Sequence, residues 1–97
     1  MQFQEYQTIS SKFEKDRYDL PYLLIGLSNE VGELLGVWKK LHRDGTNTAR
    51  ALHDMRLEAG DVLWYLTRVT ERINSSLADI AIKNIRKLQH RHGDGAA

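Results

Sequence analysis

Two stretches of this chain carry apolar residues at three- and four-residue steps for about five helical turns each. Each also holds a pair of carboxylates where its own apolar arc faces the interior. At ~100° per residue, Leu23, Leu27, Val31, Leu34, Val37, Trp38 and Leu41 share one broad arc, with Glu30 inside it and Glu33 at its edge. In the second stretch Ala51, Met55, Val62, Leu66, Val69 and Ile73 make the stripe, with Glu58 inside it and Asp61 at its margin. A single such Glu is ordinarily a partly exposed acid paired with Lys or Arg at the rim. Two pairs, matched in placement on successive helices, predict a common interior lined by four acids. That arrangement is costly unless cations neutralise it. Hard divalent cations take oxygen ligands, and carboxylates at i and i+3 on adjacent helices grip one from two sides.

The rest of the chain is punctuated for helix as well. Phe3, Tyr6, Ile9 and Phe13 predict a first helix over residues 2–15. Asp19 ahead of Leu20 and Pro21 is a helix start, because proline tolerates the first turn and an acid suits the cap. This second helix is expected to run to Leu41 or His42 and stop at Arg43-Asp44-Gly45-Thr46-Asn47-Thr48. Thr46 or Thr48 then caps a third helix reaching Ile73. Ser76 with Asp79 starts a fourth in capping-box fashion, carrying Leu77, Ile80, Ala81, Ile85 and Leu88 on one face. Residues 93–97 have nothing to bury and are expected to fray. No alternation of strand type occurs. The expected fold is all-α, one domain over residues 1–97, resembling a four-helix bundle.

Composition removes whole classes of function. Fourteen Lys and Arg against 13 Asp and Glu in 97 residues leave a net charge of +1, which is no footprint for nucleic acid and no polybasic membrane anchor. The longest apolar run, residues 20–27, is broken by Pro21 and Gly26, so no membrane partner is expected. There is no cysteine, which excludes disulfides, thiolate metal sites and a Cys nucleophile. The start lacks a basic region followed by an apolar one, and a cytoplasmic location is expected. His42, His53, His90 and His92 all lie outside the carboxylate pairs, unlike the Glu-x-x-His pattern of di-iron bundles. An all-oxygen site favours Mg²⁺ or Mn²⁺, commonly with substrate phosphates completing the coordination.

Three blocks carry a family resemblance: Gly26-Leu27-Ser28-Asn29-Glu30-Val31-Gly32-Glu33-Leu34, then Leu57-Glu58-Ala59-Gly60-Asp61-Val62-Leu63-Trp64-Tyr65-Leu66, then Asn84-Ile85-Arg86-Lys87-Leu88 with Arg91. Together, with 24 residues between Glu33 and Glu58, they resemble the MazG-like nucleoside triphosphate pyrophosphohydrolases over residues 20–92. The resemblance implies an all-α fold whose site is commonly completed by a second subunit. It also implies Mg²⁺-dependent hydrolysis of nucleoside triphosphates to monophosphate and pyrophosphate, a chemistry suited to nucleotide-pool house-cleaning. By position it makes Glu30, Glu33, Glu58 and Asp61 the metal ligands. The resemblance likewise puts Asn84 near the nucleotide, Lys87 near its phosphates and Tyr65 along the same pocket. Phosphoribosyl-ATP pyrophosphohydrolase is a narrower alternative within that superfamily. A non-catalytic helical dimerisation or regulatory module is the alternative outside it.

The remaining candidates have blander readings beside the functional ones. Asn84, Lys87 and Arg91 share one face of the fourth helix, where a cationic C-terminus would also complement the helix dipole. Lys39 and Lys40 stand where they would neutralise a triphosphate, although a solvated helix end accounts for at least one of them. Trp38 sits in the apolar arc, so core packing is its default role and stacking on a nucleobase the sharper one. Trp64, near Leu57 and away from the main stripe, predicts a subunit interface, and with it a homodimer or dimer of dimers. Gly32 and Gly60 cost helix stability, which points to close approach by a neighbouring helix or by phosphates. Either Glu33 or Glu58 is placed to accept a proton from attacking water. With the acids mid-helix and Lys87, Arg91 and Lys39 toward helix ends, the β- and γ-phosphates are expected to extend outward. No glycine-rich phosphate loop exists to favour the other cleavage.

Overall fold

The computed structural model describes residues 1–45 and 47–93. They form four helices: α1 (Phe3–Ser11), α2 (Leu20–Asp44), α3 (Thr48–Arg72) and α4 (Leu77–His92), with no strand among the described residues. The all-α class is therefore the observed one. None of the helices is long and apolar enough to cross a membrane.

The caps explain where the helices begin and end. The Asp19 carboxylate accepts from the Tyr22 amide at 3.0 Å, with proline in the first turn of α2 as expected. α2 runs past His42 to Asp44, because Gly45 takes a left-handed conformation (φ 62°) and its amide reaches back to the Leu41 carbonyl at 3.0 Å. The cap of α3 is neither candidate threonine but Asn47, which accepts from the Arg50 amide at 3.1 Å; Thr46 lies outside the described residues. Ser76 Oγ accepts from the Asp79 amide at 3.1 Å. The reciprocal arm of a capping box is not made, since the Asp79 carboxylate takes the Ser75 hydroxyl and Lys83 instead. α1 is shorter than its apolar spacing predicts, ending at Ser11 so that Phe13 lies beyond it.

α2 and α3, joined by a short loop, pack along each other as an antiparallel hairpin. α1 and α4 meet each other and α3, and neither backbone approaches that of α2. One chain therefore does not close a single four-helix bundle. Its radius of gyration is 16.1 Å, against ~12.5 Å for a compact chain of this length. It exposes 7397 Å², where a compact monomer of this mass would expose ~5,700 Å². Among the described residues only Leu23, Ala51, Val69 and Leu77 are buried apolar side chains. Ile25 and Leu35 on α2 and Ile82, Ile85 and Leu88 on α4 remain exposed.

The end of α3 nearest α1 is held by polar contacts, and this inverts the expected orientation of α1. Phe3 and Ile9 face outward, while Gln7 and Ser10 face in. The Trp64 indole N–H donates to the Ser10 carbonyl at 3.0 Å, and the Arg68 guanidinium lies over the same ring, 5.3 Å from its centroid. Trp64 thus anchors α1 within the chain, which corrects its reading as an interface residue; Leu57 stays exposed. Arg68, fully buried, donates from Nη2 to the Gln7 carbonyl and the Ser10 hydroxyl at 3.2 and 3.1 Å. Arg72 binds the Tyr18 carbonyl at 2.8 Å and pairs with Glu14.

Candidate active site

The hairpin places the carboxylates. Residues 30 and 33 on α2 stand opposite 58 and 61 on α3, and oxygens of Glu30, Glu58 and Asp61 all lie within 4.8 Å of one another. Glu30 and Glu58 are half-buried and Asp61 is exposed, so within one chain the cluster is shallower than the two apolar arcs predict. The Glu30 carboxyl is pushed above the usual range, first by burial and then by the negative charges of Asp61, Glu58 and Glu33. Three convergent oxygen donors under mutual repulsion suit a hard divalent cation.

Glu33 stands apart from this trio. It is exposed, and with Glu58 it forms part of the wall of a cavity of about 530 Å³ toward the α2–α3 loop. Lys40 and Arg50 line the same cavity; Lys39 does not and is exposed. On the other flank, the Tyr65 ring lies against Gly26 so closely that a Cβ at Gly26 would overlap it. Burial, followed by the neighbouring Tyr22, Glu30, Tyr18 and Asp61, raises the pKa of the Tyr65 hydroxyl. Tyr18 and Tyr22 stack nearby with centroids 4.3 Å apart. The acids thus have aromatic rings on one side and cations on the other.

Other residues singled out from the sequence lie further off or in different settings. Trp38 is 47% exposed and packs edge-on against His42, so it is not a core residue. Among the described residues a Cβ at Gly32 or Gly60 would meet nothing within 4 Å, so no described neighbour accounts for those glycines. Asn84, Lys87 and Arg91 are exposed on α4, whose backbone, like that of α1, does not approach α2. Arg50 escaped the sequence reading, Gly26 stands there only as a break in an apolar run and a motif glycine, and Lys40 was not separated from Lys39. A signal for both cations was present: Lys40 follows Glu33 by seven residues and Arg50 precedes Glu58 by eight, which keeps each on its acid's stripe of an antiparallel pair.

Residues 21–95 match the MazG nucleotide pyrophosphohydrolase domain. The chain belongs to that family. The MazG match takes in α2, α3 and α4 and leaves α1 outside it. The Gene 37 protein of Mycobacterium phage L5 is 35% identical over 78 residues, covering 78% of this chain and 68% of that protein. No solved structure matches the chain.

Proposed function

We propose that this MazG domain hydrolyses nucleoside triphosphates to the monophosphate and pyrophosphate, using Mg²⁺ or Mn²⁺ held by Glu30, Glu58 and Asp61 with Glu33 beside them. The observation that carries this reading is the convergence of three carboxylates from facing helices in a chain of the MazG family. Bound there, the cation would polarise the phosphoryl group and acidify a water. The protein's own part is to orient the triphosphate and to take a proton. The water oxygen bonds to the α-phosphorus as the bond to the α–β bridging oxygen breaks, and its electron pair leaves with pyrophosphate. Glu33, outside the trio and open to solvent, is the favoured acceptor of the water's proton, with Glu58 the other candidate. Tyr65 borders the nucleoside end. Phosphorus NMR of the first products tests the reading: monophosphate and pyrophosphate are expected, and diphosphate with phosphate would overturn it.

The same cluster predicts metal-dependent stability. A cation at 100 times its Kd adds ~2.7 kcal/mol, on the order of 10–20 °C in melting temperature for a domain this size. Glu30→Gln is expected to lose most of that gain and to be at least as stable as the parent without metal, since it removes a crowded charge. Melting at fixed protein concentration, with and without Mg²⁺ or Mn²⁺, checks both; a curve indifferent to either metal would count against the site.

Self-association belongs to the same proposal, as a homodimer or dimer of dimers. Support comes from the excess exposed surface, the unpaired apolar faces of α2 and α4, and a site open on one side. A second copy is then the natural source of Asn84, Lys87 and Arg91, with Trp38 and Lys39 at the rim. A fully active monomer at micromolar concentration by sedimentation would defeat this. A cytoplasmic setting fits the absence of cysteine.

A further inference from the structure

We propose that the cavity beside the carboxylate trio is an anion subsite for the β- and γ-phosphates, and hence for the departing magnesium pyrophosphate, with Lys40 and Arg50 as its cations. The inference rests on the pyrophosphohydrolase reading and gives the site a direction.

Several observations lead to the cavity. It shares Glu33 and Glu58 with the acid cluster, so a phosphate chain leaving the cluster enters it without crossing another element. Its volume, about 530 Å³, lies within the range of small-ligand pockets. Glu33, Val37 and Lys40 follow one another on a single stripe of α2, and Arg50, Asp54 and Glu58 do so on the facing stripe of α3. Gly36, which also lines the cavity, keeps that wall low, and a Cβ there would meet nothing within 4 Å.

Charge pairing decides which cations are available. Two further acids, Asp44 and Asp54, line the cavity. Asp44 is already held by Arg43 through bonds of 2.7 and 2.9 Å, which hold its carboxyl below the usual range. Asp54 meets Arg50 only at 3.6 Å, an exposed contact of the kind that contributes little and yields readily to a phosphate. Lys40 has no ion-pair partner within 4 Å among the described residues. The opposite flank of the cluster, with Tyr65 over Gly26 and the Tyr18–Tyr22 stack, offers flat rings, and Arg72 there is already engaged by the Tyr18 carbonyl and Glu14, which suits the nucleoside end. Lys40 and Arg50 are thus the phosphate-side charges that the hairpin itself supplies, beside the Lys87 and Arg91 that a second copy would bring.

The test is calorimetric titration of inorganic pyrophosphate, in excess Mg²⁺, into the full-length chain and its variants. Lys40→Gln and Arg50→Gln are each expected to weaken binding about 10-fold, and the double variant about 100-fold. Lys40→Arg should restore affinity to within about threefold, and Lys12→Gln, at an exposed lysine off the cavity wall, should bind like the parent. The Mg²⁺-induced rise in melting temperature should survive in all of these, because the metal cluster is untouched. Failure of the parent chain to bind pyrophosphate, or affinities in Lys40→Gln and Arg50→Gln within twofold of the parent, would overturn the subsite. Triphosphate hydrolysis measured alongside separates the two claims. Hydrolysis to pyrophosphate with unchanged affinities removes the subsite alone, whereas weakened affinities without any hydrolysis remove the functional reading.

Discussion

Glu58→Gln and Asp61→Asn are each expected to lower kcat for pyrophosphate release by about 10²–10³-fold, the usual scale for removing one preorganised electrostatic contact from a reacting centre. Both substitutions keep side-chain size and remove one negative charge from a cluster whose oxygens lie within 4.8 Å of one another. Each therefore relaxes repulsion in the metal-free protein, and neither should lower its melting temperature. That separates the expected loss from unfolding: helix content and metal-free melting hold while turnover falls. Asp61 is exposed and Glu58 half-buried, so a fold-disrupting effect would show at Glu58 first and leave Asp61→Asn active. Undiminished turnover in either variant would remove that residue from the site, and in both would sink the assignment.

Much of this site was legible because a charge inside an apolar arc is informative wherever the arc is read correctly. Glu30 and Glu58 stood out on helix periodicity alone, and the caps at Asp19 and Ser76 could be read because a polar side chain before an apolar run has few other uses. The depth of the site was not legible. A helical wheel says which residues share a face, not whether anything covers that face, and here Val31 and Trp38 of the arc remain exposed on one chain. α1 failed for a related reason. Periodicity located Phe3 and Ile9 on the helix but not the side it presents inward, and polar groups at the end of α3 decided that. Those groups had a signal of their own. Trp64, Arg68 and Glu71 are spaced by four and three residues, a second stripe off the main apolar face of α3 and large enough to receive another helix. The separation of Lys40 from Lys39 needed the loop as well, since only the register of the hairpin sets Lys40 across from Arg50.

The second stripe predicts an asymmetry in stability that ordinary hydrophobic reasoning would reverse. Arg68 is fully buried, and its Nε lies 2.9 Å from a Glu71 oxygen but off the N–H direction. Nε and Nη1 therefore find no hydrogen-bond acceptor among the described residues, and the buried charge depends on Glu71 for its compensation. Glu71 is 25% exposed and also accepts from Gln7 at 3.1 Å, so it keeps water and a partner if Arg68 is lost. Removing Glu71 strands a cation in the interior, whereas removing Arg68 strands an acid at the surface. Glu71→Leu is accordingly expected to cost about 3–5 kcal/mol, a fall in melting temperature on the order of 15 °C or more. Arg68→Met, which fills similar space without a charge, is expected to cost less than half as much even though it forfeits the bonds to Gln7 and Ser10. Chemical denaturation of the two variants at matched concentration decides it. Should Arg68→Met prove as costly as Glu71→Leu, the guanidinium would be a net source of stability, and α1 would be held by its hydrogen bonds rather than by the burial of Trp64.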